Sequence, residues 1–332
     1  MGFLNSLLLT LIKGLHVIIN NYAVTIIVFT LLIKVAIMPL NLKSRKSTQR
    51  MTAVQPKMQA LQEKYKDDQE KLNQKMQELY RKEGVSPMGG CLPMILSMFV
   101  LFAMFYAMRT FANEQLVSQF LTFYHNPTID PSTLTDGFLW IKNLWMPDSP
   151  FATYMPDAQS LRMVEFGVWN SVSAKLAAAG TIPQALNLAD AAAVNTFIDT
   201  VAAPFIASEA YAPYIAPITG LGNLNILGLI KFTIYEHGNG WFILPILSVL
   251  TQVFMQNMTM AQTMAANPQA GNQKTMLYVM TFMSLYFCAI YNSAFALYWV
   301  VSNIYAIVET IGMNKYFAMQ DRKAATAQEV GI

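Results

Sequence analysis

Tyr22–Leu40 reads YAVTIIVFTLLIKVAIMPL, an apolar run with a single charge, Lys34. A run of this length can cross a bilayer as one helix. A cation inside such a run usually faces a protein interior or a water-filled cavity. Lys34 also lies six residues before Leu40, about 9 Å of helix rise, so snorkelling to the interface is the alternative reading. Directly afterwards the chain turns basic, through Lys43, Arg45, Lys46, Arg50 and Lys57. A buried cation beside a basic segment points to a site that draws negative charge into the membrane.

The composition places the whole chain in the same setting. Of its 332 residues, 54% are hydrophobic and only 12% charged, against about 25% charged in soluble domains. Four further apolar stretches follow, Cys91–Phe111, Trp241–Met260, Met276–Tyr291 and Ala294–Met313. An all-α polytopic membrane protein with a five-helix transmembrane core is expected. Cys91 and Cys288 fall near opposite ends of different spans, which predicts free thiols.

Charge sets the orientation. Residues 41–86 carry 11 Lys and Arg against 6 Asp and Glu, and residues 112–240 carry 4 against 10. The basic segment is expected in the cytoplasm. With five spans, the N-terminus lies outside and the C-terminus inside, in a multi-pass membrane protein.

The segments divide as follows. Residues 1–20 place Leu4, Leu8, Leu11, Leu15 and Ile18 at helical spacing, which predicts an interfacial amphipathic helix; a sixth span is the alternative. The start also fits a six-residue myristoylation pattern, a match that arises readily by chance. Residues 21–40 form the first span. Residues 41–86 carry two apolar stripes, Val54, Met58, Leu61, Tyr65 and then Leu72, Met76, Leu79, with Lys66-Asp67-Asp68 as the turn. That pattern predicts a cytoplasmic helical hairpin. Residues 87–111 form the second span and 112–240 an extracytoplasmic loop with a helical insertion at about 148–237, where helical patterns run around Met163–Leu176 and Ala189–Ile206. Residues 241–313 form spans three to five, and 314–332 a short cytoplasmic tail.

Catalytic motifs are missing. The sequence contains no HExxH, no nucleophile elbow, no P-loop and no dinucleotide fingerprint, and its three histidines are scattered. We expect no enzyme activity, no cofactor and no metal. The informative polar residues lie within spans: Thr30 and Lys34, four apart in the first; Ser97 in the second; Gln252 and Gln256 in the third; Tyr298, Trp299, Ser302 and Asn303 in the fifth. Such groups often do no more than hydrogen-bond between helices. Their concentration in one leaflet with Lys34 favours a hydrated groove.

Several stretches resemble the YidC/Oxa/Alb membrane insertases of the bacterial YidC type. They are Lys34–Pro39–Leu40, the basic Lys43–Met58 stretch with Gln55-Pro56-Lys57, Leu79-Tyr80, Pro87-Met88-Gly89-Gly90-Cys91-Leu92-Pro93, and Ala296-Leu297-Tyr298-Trp299-Val300-Val301-Ser302-Asn303. The resemblance covers about 1–110 and 238–315. It implies a groove open to cytoplasm and lipid, with Lys34 where the family usually carries Arg. It also associates Thr30, Tyr298 and Trp299 with the substrate path. Ser97 stands where many relatives have Gln, and Glu309 is a candidate charge partner for Lys34. The implied partners are nascent membrane proteins and the lipid bilayer, with a Sec translocon and the ribosome as further candidates and no DNA. A small anion transporter or channel, and a structural subunit of a membrane complex, are the rival functions.

Overall fold

The computed structural model describes residues 2–85, 92–219, 223–226, 230–266 and 272–329. The chain is overwhelmingly helical. Its helices are α1 (Gly2–Ile19), α2 (Tyr22–Lys64), α3 (Gln69–Glu83), α4 (Leu92–His125), α5 (Ala158–Arg162), α6 (Phe166–Ala178), α7 (Ala191–Phe197), α8 (Ala203–Ile206), α9 (Ile243–Ala266), α10 (Asn272–Ile290) and α11 (Ser293–Glu329). One antiparallel pair, β1 (Asn223–Ile226) with β2 (Ile230–Thr233), pairs Asn223 with Thr233 and Ile226 with Ile230. Nothing in the sequence reading anticipated these strands. Among the described residues, Tyr22–Ser47 and Ser293–Gln320 are long and apolar enough to cross a membrane.

Two helices run on beyond the bounds expected for their spans. No break occurs at Leu40: α2 runs on through Pro39 and Pro56 to Lys64, so the first span and the first basic arm are one helix. Proline removes one intrahelical hydrogen bond, which a long run of good helix formers outlasts. Likewise α11 continues through Gly312 to Glu329, well past the expected end of the span. The non-helical turn after α2 covers Tyr65 to Asp68, and Asp68 caps α3 by accepting from the Lys71 N–H at 3.0 Å. Gly84, at φ 62°, ends α3 in the left-handed conformation that glycine adopts without strain. The Pro87–Cys91 motif lies outside the described residues.

The chain divides into two compact units. The first comprises residues 1–29, 103–248 and 284–300. The stretch Asp136–Asp148 organises it. The Asp148 carboxylate is fully buried and accepts from the Trp140 indole at 3.1 Å, the Trp241 N–H at 2.9 Å and the Leu244 N–H at 2.7 Å. It thereby satisfies N–H groups at the start of α9, which have no intrahelical partner. A Cβ at Gly240 would overlap that carboxylate, so only glycine fits there. The carbonyls of Met146 and Leu144 accept from Ser293 and Ala294 at 2.9 and 2.8 Å, serving the start of α11 in the same way.

α1 packs on this unit through Leu8 and Ile12, both buried, and through Lys13, which pairs with Glu114 at 2.8 Å. Leu11 and Ile18 of the expected stripe are exposed, as are Leu7 and Val17. α1 is thus apolar on more than one side, with Leu8 and Ile12 turned to the protein and Leu11 and Ile18 left exposed. His16 stacks on Tyr22 at 3.6 Å, and Tyr22 meets Trp145 edge-on at 5.0 Å.

The same unit contains a helical lobe built from residues 154–215 around the end of α4. Phe120, Leu121 and Phe123 of α4 are buried with Leu161, Trp169, Ile198, Ala202 and Tyr211. The Tyr211 hydroxyl donates to the Pro156 carbonyl at 2.6 Å. The expected helical patterns at Met163–Leu176 and Ala189–Ile206 correspond to α6 and to the α7–α8 stretch, the latter joined through a π turn, Ile198–Ala202. The second unit comprises residues 30–102, 249–283 and 301–332.

Candidate functional site

Within the second unit, four helices carry the polar residues singled out above. Thr30 is buried and Lys34 half-buried on α2. Gln252 and Gln256 are buried, one turn apart, on α9. Ser302 and Asn303 are buried on α11. Asn303 Nδ2 donates to Thr251 Oγ1 at 3.1 Å, tying α11 to α9. Thr281 Oγ1 of α10 donates to Gln256 Oε1 at 3.0 Å. The Ser302 hydroxyl is buried and has no partner among the described residues. A buried hydroxyl without a partner costs about 1–3 kcal/mol, so water or a ligand group is a natural complement. Ser97 lies in α4, and its side chain is outside the described residues.

The end of the Lys34 face carries a second polar group. Residues 34, 41 and 45 of α2 recur at seven and four, which places them on one side of the helix. Asn41 Nδ2 donates to both oxygens of Glu309, at 3.2 and 3.3 Å, and the Arg45 guanidinium donates to Thr310 Oγ1. Glu309 acts electrostatically on both Lys34 and Arg45. No ion pair joins Lys34 to Glu309; the direct hydrogen bonds to the carboxylate come from Asn41.

Tyr298 and Trp299 belong to the first unit, where both approach Phe295, at 6.2 and 5.6 Å between ring centres. The Trp299 Nε1 is buried with no partner among the described residues. In the same unit the Ser284 hydroxyl donates to Ser248 Oγ at 3.3 Å, joining α10 to α9. Ser248, Thr251, Thr281, Ser284, Asn41, Arg45 and Thr310 were missed in the sequence. The signal was present: Ser248, Gln252 and Gln256 recur every fourth residue, and Asn41 and Arg45 extend the face of Lys34.

The chain matches the family described as 60Kd inner membrane protein over residues 14–207 and 208–321. It belongs to that family. The resemblance noted from Lys34–Leu40 and the α11 motif is thereby shown, and the chain is a membrane protein. It is similar to a protein named membrane protein insertase YidC from Chlorobaculum tepidum, 35% identical over 149 residues. That alignment takes in 45% of this chain and 22% of the relative. A protein of the same name from Chlorobium limicola is 40% identical over 147 residues, 44% of this chain and 22% of the relative. Another, from Clostridium perfringens, is 38% identical over 131 residues, 40% of this chain and 47% of the relative. The match thus spans about a fifth of the first two relatives and about half of the third.

Proposed function

We propose that this chain is a membrane protein insertase and chaperone. In this reading a nascent protein's hydrophilic segment enters a groove lined by Thr30, Lys34, Ser97, Gln252, Gln256, Tyr298, Trp299, Ser302 and Asn303. The transmembrane segment then leaves sideways into lipid. The spans are α2, α4, α9, α10 and α11. The second half of α2 and α3 form a cytoplasmic hairpin, the N-terminus lies outside and the C-terminus inside. A Sec translocon and the ribosome are proposed partners.

The observation that carries the reading is Lys34, a half-buried cation midway along an apolar helix, in one unit with buried amides and hydroxyls on α9 and α11. Carrying one charged residue across the bilayer centre costs about 2.5–3.5 kcal/mol on insertion scales. A hydrated, positively charged groove offsets that cost for an acidic segment. Membership in the family and the names of the relatives support the same function. The chemistry is solvation and release, so no covalent step or cofactor is invoked.

The test is insertion of a substrate with an acidic translocated segment into vesicles holding the purified chain. Lys34→Arg should retain activity. Lys34→Ala and Lys34→Glu should lose it, by about tenfold or more if the charge contributes a full 1.4 kcal/mol. Unimpaired insertion by Lys34→Glu would overturn the role given to this residue. Solute flux without insertion would favour the transporter.

A further inference from the structure

A cleft of about 280 Å³ opens between α2 and α11 in the second unit. Met38 and Leu42 wall it from α2, and Tyr305, Val308 and Met313 from α11. Glu309 is the one charged group among its described lining residues. Met38, Val308 and Tyr316 around it are 44%, 63% and 47% exposed, so the apolar wall is uncovered. Lys34 and Arg45 lie within electrostatic range of this carboxylate, but the hydrogen bonds recorded to it come from the Asn41 amide, so it can still accept from an N–H donor entering the trough.

Glu309 lines the cleft, and Asn41 and Arg45 stand beside it without lining it, so bonding capacity of both signs lies at or next to the cleft. The two Glu309 oxygens share one neutral amide, Asn41, at 3.2 and 3.3 Å. Charge-assisted bonds are usually about 2.7–2.9 Å, so the carboxylate has strong acceptor sites to spare. Arg45 gives an N–H to Thr310, next to Glu309, and its fork holds further donors. The depth suits a headgroup. Glu309 is 16 residues along from Ser293, about 24 Å, and Asn41 is 19 from Tyr22, about 28 Å, in a hydrocarbon layer of about 30 Å.

We propose that this cleft binds a phospholipid with a primary-amine headgroup. The ammonium donates to Glu309, the phosphate accepts from Arg45, and one acyl chain lies along Met38, Tyr305 and Val308. A primary ammonium fits better than a quaternary one because a carboxylate with free lone pairs rewards N–H donors. An anionic headgroup without an amine would engage Arg45 and meet repulsion from Glu309. A transmembrane segment of a substrate would fill the apolar trough but leave the paired charges unmatched.

The experiment counts lipids retained by the full chain from nanodiscs holding equal phosphatidylethanolamine, phosphatidylcholine and phosphatidylglycerol, by native mass spectrometry. Phosphatidylethanolamine should be retained about two- to fivefold over the others, the range that an exposed ion pair supplies. Glu309→Gln should abolish its advantage over phosphatidylcholine, and Arg45→Gln should lower retention of all three lipids. A Cβ at Gly312, which lines the cleft, meets open space, so Gly312→Leu fills the trough without touching either charge. It should lower retention of all three as well, and carries the test if a charge variant fails to fold. Equal retention of the three lipids by the parent chain, or a preference that survives Glu309→Gln, overturns the proposal. So does a substrate segment crosslinked at Val308→Cys that added phosphatidylethanolamine cannot displace. Lipid counting involves no insertion reaction, so its result stands apart from the insertase reading.

Discussion

Asp148 is fully buried and holds three donors from two distant stretches of chain, the Trp140 indole and the backbone of Trp241 and Leu244. Removing it leaves those donors without a partner in a site with no room for a shell of water. Each such buried group costs about 1–3 kcal/mol, so Asp148→Ala should destabilise the chain by about 3 kcal/mol or more. The midpoint of unfolding in detergent measures this, and Asp148→Asn should recover part of the loss. Asp136 makes the opposite kind of contribution. Burial pushes its carboxyl above the ordinary 3.8, while the Trp145 indole, donating at 2.5 Å, and His16 pull it back. Its folded form therefore holds a proton that the unfolded chain has released. Between the ordinary and the raised value the native state binds more protons, and stability falls as pH rises. Asp136→Asn, which keeps an acceptor for Trp145, should flatten that part of the curve. An unchanged slope in the variant would assign the dependence to another group.

α3 has a capping aspartate, a left-handed glycine at its end and no buried residue. Among the described residues, an ion pair that ties it to α2 is the exposed Lys57–Glu83 pair at 2.6 Å, which contributes under about 1 kcal/mol. A helix held this weakly opens locally, well below the free energy of global unfolding. Amide exchange in α3 should therefore run faster than in the second half of α4, where Val117, Phe120 and Phe123 are fully buried. Equal protection would mean that α3 is packed more firmly than its burial indicates. Elements such as α3 were legible because capping, turn and stripe signals are local in sequence. The α6 and α7–α8 helices were legible for the same reason. The unbroken length of α2 was not stated, since the change from apolar to basic at Leu40 marks the end of the span, while the backbone hydrogen-bond ladder runs on to Lys64. The β1–β2 pair was missed because its register depends on a partner strand, and four residues carry too little alternation to announce it. Among the candidate site residues, Lys34 stood out as the one charge in an apolar run, and its four-residue spacing put Thr30 on the same face. The Asn41–Glu309 bond did not stand out, because it joins positions 268 residues apart.

At the scale of the whole molecule, most of the candidate groove residues fall in the second unit, while the helical lobe is part of the first. Excising the lobe alone would strip the cover from Phe120, Leu121 and Phe123, which are built into α4. Uncovering three large apolar side chains favours aggregation, so a bare deletion tests solubility more than mechanism. The informative variant replaces residues 158–215 with a short flexible linker and makes Phe120 and Phe123 polar at once. It retains the bridges Thr153–Gly238 and Pro217–Tyr235, which close the neck of the lobe, and the Asp148 cluster that caps α9. If the groove performs insertion, this variant should reach the membrane, melt at a lower temperature and insert an acidic-tailed substrate at close to the parent rate. The comparison is made at matched protein per vesicle, with unfolding followed in the same preparation. A folded, membrane-resident variant that inserts nothing would move the lobe into the mechanism, because a loss of stability alone lowers the amount of active protein and leaves the rate per molecule unchanged.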